Sequence, residues 1–178
     1  MSIKKGLVYV FTGDGKGKTS AALGIAMRAA LSGMKVGWVS WYKEDKWQIS
    51  EKLLPTRRDL EGRLKMYFVG EGFYKLPTDH ATPQRHCEAA ALGLKQAEKL
   101  IGKVDVLVLD EVNNAVSDGL VAEKQLLDLI NQRGKTHLII TGRGATRTVL
   151  EVADLVTEMK KIKHPFDKGI KAVKGLDY

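Results

Sequence analysis

The sequence predicts an α/β fold: one three-layer domain over residues 1–178, built on a mostly parallel sheet. Two observations carry this. Between residues 6 and 41, a strand-like run, a glycine-rich turn, a helix-like run and a second strand-like run follow one another. That is a βαβ unit, which demands parallel strands. Strand-like and helix-like runs then alternate to the end of the chain, with no linker-like composition shift, low-complexity stretch or internal repeat.

The first strand is GLVYVFT, residues 6–12, a β-branched and aromatic run. Residues 18–31 are rich in Ala, Leu, Ile and Met and stop at Ser32-Gly33, so they read as a helix with a glycine stop. KVGWVSW (35–41) is the second strand. The mixed segment 41–56 reads as partly helical, stopped by Pro55. LKMYFVG (64–70) is a strand. Residues 71–83 carry two prolines and polar turn residues, and read as a long loop of the kind that carries function. A helix over 84–101 leads to VDVLVLDE (104–111), the most apolar strand and therefore central. A short helix (123–131), a buried strand (136–142), a helix (146–153) and a last strand within 154–162 complete the chain.

The net charge of +8 and pI near 9.5 favour anionic partners: nucleotides, nucleic acid or an acidic protein. The lysines are scattered, apart from a basic tail over 160–174, so a solvated basic surface is preferred to a nucleic-acid groove. A single cysteine, Cys87, rules out an internal disulfide and reads as a small buried hydrophobe. No apolar run approaches the roughly 20 residues that span a bilayer. The opening MSIKKGLVYVF is too short in its apolar part for a signal sequence and runs straight into the glycine turn. The expectation is a cytoplasmic protein with no membrane partner.

Three motifs carry chemistry. TGDGKGKTS (12–20) is a phosphate-binding loop with Thr12 in place of the usual first glycine. Gly13, Gly15 and Gly17 let backbone N–H groups from Asp14 to Ser20, Lys16 included, turn inward as an anion nest. The following helix adds its positive end. Lys18 adds a point charge for phosphate oxygens, and the Thr19 hydroxyl suits Mg²⁺. Asp110 and Glu111 end the central strand at the sheet edge where ligands bind. Asp110 reads as a group holding Mg²⁺ through water, next to the loop after strand one; Glu111 reads either as a second metal-shell group or as a base for water. In TGRGATR (141–147), Arg143 lies between two glycines and reads either as a bidentate phosphate ligand or as a surface arginine. Arg147, about one turn into its helix, reads as a surface charge. His80, His86, His137 and His164 lack metal-ligand spacing. Trp38, Trp41 and Trp47 read as packing residues, whereas Phe73 and Tyr74 in the long loop read either as a cover for a flat ligand or as a dock for the loop.

These residues resemble the P-loop type ATP:corrinoid adenosyltransferases, the cob(I)alamin adenosyltransferases. The likeness runs over nearly the whole chain and rests on VFTGDGKGKTSAA, LVLDE, IITGRGATRTVLEVADLVTEM and KHPFDKGIKAVKGLDY. It implies a RecA-like P-loop domain, a homodimer, and transfer of the 5′-deoxyadenosyl group of ATP to Co(I) of a reduced corrinoid, with triphosphate released. ATP would lie in the reverse sense along the loop, with C5′ facing the reaction.

The resemblance also implies Thr19, Glu111 and Asp110 as positions associated with Mg²⁺ (or Mn²⁺), and a reduced flavodoxin as electron donor. Phe73 matches one of two aromatic residues that displace the corrinoid's lower ligand. The family's second, often a tryptophan two residues later, is Lys75 here. Many relatives carry a basic segment before the first strand that can close over the site; here the strand begins almost at once, so the expectation is that this lid is either missing or replaced by another part. The competing readings are a P-loop ATPase or small-molecule kinase, and a nucleotide-dependent nucleic-acid binder. The second has no recognition signature to support it, so no nucleic-acid partner is expected.

Overall fold

A computed structural model describes residues 5–178; residues 1–4 of the predicted domain lie outside it. Six strands form one sheet in the order β3-β2-β4-β5-β1-β6, and every pairing is parallel. The strands are β1 (Val8–Thr12), β2 (Val36–Ser40), β3 (Leu64–Phe68), β4 (Val106–Asp110), β5 (His137–Thr141) and β6 (Leu155–Glu158). The helices are α1 (Lys18–Leu31), α2 (Pro83–Leu100), α3 (Val112–Ser117), α4 (Glu123–Gln132) and α5 (Arg147–Glu151).

Alternation along the central strands divides the core. Leu107, Leu109, Leu138, Ile140, Val8 and Val10 face the layer that contains α2, α3, α4 and α5. Val106, Val108, Ile139, Trp38 and Phe11 face α1 on the other side. With both faces covered, β4 is buried at all five positions, as its unbroken apolar run requires. Each such leucine or valine contributes about 1.5–3 kcal/mol on burial. Helix α1 meets the sheet through Ala22, Ala26, Ala29 and Ala30, a stripe of small residues that lets its axis approach closely. Helix α2 starts at Thr82, whose hydroxyl accepts from the Arg85 N–H, with Pro83 at the first helical position.

Several expectations need correcting. Residues 50–56 form a 3₁₀ helix that contains Pro55 rather than ending before it. Helix α3 was not foreseen: it is six residues long, contains the poor helix formers Asn113 and Asn114, and begins at Glu111 in a left-handed conformation (φ 64°). Arg147 is the first residue of α5, not one turn in. Cys87 is exposed, on the solvent side of α2. Strand β5 lies between β1 and β4, yet Asp110 does lie next to the loop after β1, as expected. The glycine loop reaches it because the first turn of α1 passes over the end of β5, bringing Thr19 to Asp110.

Candidate active site

The C-terminal ends of β1, β2, β4 and β5 open on one edge of the sheet, and the site is built there. After β1 the chain turns through Gly13 (φ 94°) and Gly17 (φ 116°). A side chain at Gly13 or Gly15 would meet the Met159 carbonyl at 2.5 or 2.7 Å, so the loop's tight fit depends on both glycines. The Gly15 N–H donates to that same carbonyl at 2.6 Å. Lys18 curls back, and its ammonium donates to the carbonyl oxygens of Gly13 and Gly15 at 2.7 Å each. Burial, then the nearby Arg143, lowers its pKa. Thr12 is buried, and its hydroxyl accepts from the Ala145 N–H at 3.4 Å. In place of the usual glycine it thus ties the phosphate loop to the TGRG loop.

Asp110 is fully buried and organises the floor. One carboxylate oxygen accepts from Thr19 Oγ1 (3.0 Å) and Thr141 Oγ1 (2.9 Å). The other accepts from Ser40 Oγ (2.9 Å) and lies 3.5 Å from Lys43 Nζ. Glu111 follows with its N–H donated to Thr141 Oγ1. Burial first, then the adjacent Asp110, pushes the Glu111 carboxyl up to about 7, against the pull of Lys43, Lys18 and Arg143. Burial opposes the charge on Lys43, but Asp110 and Glu51 more than restore it, so its pKa is raised.

Arg143 is exposed at the site. Its backbone N–H donates to Asn114 Oδ1 at 2.8 Å, and a Cβ at Gly142 would come within 2.6 Å of that oxygen. The glycines on either side therefore let the loop wrap around Asn114 and project the arginine over the opening.

The resulting cavity measures about 1290 Å³, above the roughly 300–1,000 Å³ usual for a small-molecule site. Asp14, Gly15, Lys16, Gly17, Lys18, Thr19, Ser20, Glu111, Arg143 and Phe73 all line it, so the structure brings these predicted residues together. Gly13 and Asp110 lie behind the lining. Tyr74 turns away and packs on the His86 ring, 4.8 Å between centroids. No cluster of three or more His, Cys, Asp or Glu residues able to hold a metal occurs among the described residues. Thr19, Asp110 and Glu111 supply a hydroxyl and two carboxylates, a donor set that fits Mg²⁺ held mainly by phosphate oxygens and water.

The sequence did not point to Lys43 or Asn114, and pointed to Trp47 only as packing, though all three line the cavity; nor did it point to the tail contacts, where Asp177 pairs with Lys16 and the Tyr178 carbonyl accepts from Ser50 Oγ. Lys43 carried a usable signal, since it lies just past the end of β2 on the ligand-binding edge. The tail contacts join residues more than 120 positions apart and had none.

Residues 4–178 match the profile of a family described as "ATP:corrinoid adenosyltransferase BtuR/CobO/CobP". A corrinoid adenosyltransferase of Pseudomonas aeruginosa is 37% identical over 178 residues, covering 98% of this chain and 85% of the relative. One of Escherichia coli K12 is 35% identical, over 98% of this chain and 87% of the relative. The corrinoid adenosyltransferase CobA of Salmonella typhimurium is 34% identical with the same coverage.

Proposed function

Since the chain belongs to the ATP:corrinoid adenosyltransferase family, we infer from that membership and from its cavity how it carries out the reaction. The enzyme transfers the 5′-deoxyadenosyl group of ATP to the cobalt of a reduced corrinoid in cobalamin biosynthesis. The observation that best supports a two-substrate reading is the cavity: it exceeds a nucleotide site in volume, with the phosphate loop at one part of its wall and Phe73 at another.

In the step itself a Co–C5′ bond forms and the C5′–O bond breaks, with the bonding pair leaving on triphosphate. Co(I) is the nucleophile, so the protein supplies neither nucleophile nor base. Its residues orient the reactants and stabilise the departing charge. The Lys18 ammonium and the backbone N–H groups from Asp14 to Ser20 bind the triphosphate. Arg143 covers it from the TGRG loop, and Lys43 adds a third positive charge near the floor. Thr19 and Glu111, with Asp110 behind them, would hold Mg²⁺, which when bound neutralises phosphate charge. Phe73 faces the corrinoid.

A single cytoplasmic domain acting as a homodimer, with reduced flavodoxin as electron donor, completes the reading; the net charge of +8 supports an acidic partner. No described helix is long and apolar enough to cross a membrane.

Incubation with ATP and chemically reduced cobalamin tests the reading. The corrinoid spectrum should change and triphosphate should appear in equal amount. Release of phosphate or ADP without any need for corrinoid would instead support an ATPase or kinase.

A further inference from the structure

Beside Phe73 the cavity wall holds a second aromatic side chain from a different part of the chain. Trp47 and Phe73 meet with ring centroids 5.4 Å apart at 50°. Both line the cavity, and theirs is the only ring pair that does so among the described residues. Phe73 is 46% exposed and lines the cavity, so part of its ring stays open to a ligand.

One buried carboxylate fixes this pair. Glu44 is 5% exposed. It accepts from the Trp47 indole N–H at 2.7 Å, pairs with Lys46 at 2.7 Å and meets His80 Nε2 at 3.3 Å. Its oxygen also lies 3.1 Å from where a Cβ at Gly72 would stand, so the Phe73 loop closes on Glu44 because residue 72 is glycine (φ 91°). Glu44 therefore anchors both halves: Trp47 through its indole, and the Phe73 loop through His80 and Gly72. Residues 74 and 75 face elsewhere. Lys75 adopts φ 59° and lays its ammonium 4.7 Å from the Tyr74 ring centroid, away from the cavity.

We propose that Trp47 and Phe73 together form the surface that receives the flat, largely apolar face of the corrin ring, and that Glu44 is the positioning residue that holds them in register. The inference rests on the corrinoid reading of the cavity. A tilted pair offers one ring face and one ring edge to a broad ligand, and an indole pinned by its N–H loses little freedom on contact.

Steady-state kinetics with cob(I)alamin and ATP test it, together with equilibrium binding of cob(II)alamin to the full chain. Trp47→Ala should raise the corrinoid KM and weaken cob(II)alamin binding about tenfold, with the KM for ATP within about twofold; such a loss matches one aromatic contact. Trp47→Phe should retain most of the binding, whereas Trp47→Leu, apolar and nearer in size to Phe but without a ring, should not. Glu44→Gln should show the same one-sided KM change at smaller size. An unchanged corrinoid KM in Trp47→Ala, an equal rise in both KM values, or Leu binding as well as Phe would overturn the proposal. If wild-type protein turns over corrinoid normally in those assays, only the Trp47 surface has failed. If the wild type makes no adenosylated product, the functional reading itself has failed.

Discussion

The floor of the cavity and its rim are built in opposite ways. At the floor, Asp110 is fully buried and surrounded by three hydroxyls from β2, α1 and β5 and by Lys43 from just past β2. At the rim, the tail over 159–178 is almost wholly exposed, and Asp177–Lys16 and Ser50–Tyr178 are among the few contacts that hold it to the loop and the 3₁₀ segment. The long loop of Phe73 lies between these extremes, with Asp79 bonded to buried His86. Charges at the floor work in a low-dielectric setting where each polar partner counts, and those at the rim are screened by water. On the proposed reading, the triphosphate is bound beside the buried floor and the larger substrate is admitted past the exposed rim.

Lys18→Ala should break the floor's function most. Adenosylation should fall by on the order of 100-fold or more, as for loss of a preorganised donor at developing charge. Thermal unfolding should barely move; near-normal turnover would remove the loop from the mechanism. Asp110→Ala should break the floor's structure, since Ser40, Thr19 and Thr141 lose their common acceptor and Lys43 loses a counter-charge. A loss of about 3–5 kcal/mol in denaturant unfolding is expected.

The intermediate region should show itself through pH. Hydrogen bonds from His86 first, then from the Lys75 N–H, hold the Asp79 carboxyl down at about 2, below its ordinary 3.8. The stability this confers is fully present above pH 4 and lost as pH falls through 2. Asp79→Asn should flatten the stability profile in that window and leave it unaltered at pH 7 to 8 apart from a constant offset. A wild-type profile identical in shape to the variant's would rule the pair out. Asp177→Asn, at the rim, should do least: no resolvable change in unfolding and at most a few-fold change in the KM for ATP, weakening further with salt. If it proved as damaging as Asp110→Ala, the contrast between floor and rim would collapse.

Legibility in the sequence followed the same division. The central strands showed because burial on both faces forces continuous apolar runs, and the loop showed because its glycines and Lys18 are local requirements of one turn. Glu111 and Arg143 both line the cavity, a position legible because each lies just past a buried strand. Trp47 reads as a packing residue and does pack on Phe73, but a partner ring 26 positions along the chain leaves no local signal. Helix α3 was invisible because its start depends on a left-handed Glu111 and on the Thr141 hydroxyl, thirty residues away. Asp110 could be placed beside the loop after strand one, and it lies there; that β5 stands between β1 and β4 follows from topology, which no short motif records.

The partners of Asp110 stand 31, 70 and 91 positions away along the chain. No local hairpin or single βαβ unit contains them all, so the floor closes only when most of the sheet has been assembled. Folding should therefore be slow for a chain of this size, with the floor among its last parts to set. A nucleotide that binds only the closed floor then stabilises the molecule as a whole, in proportion to the logarithm of its concentration. Amide exchange in β1, β4 and β5 should slow together when ATP is added.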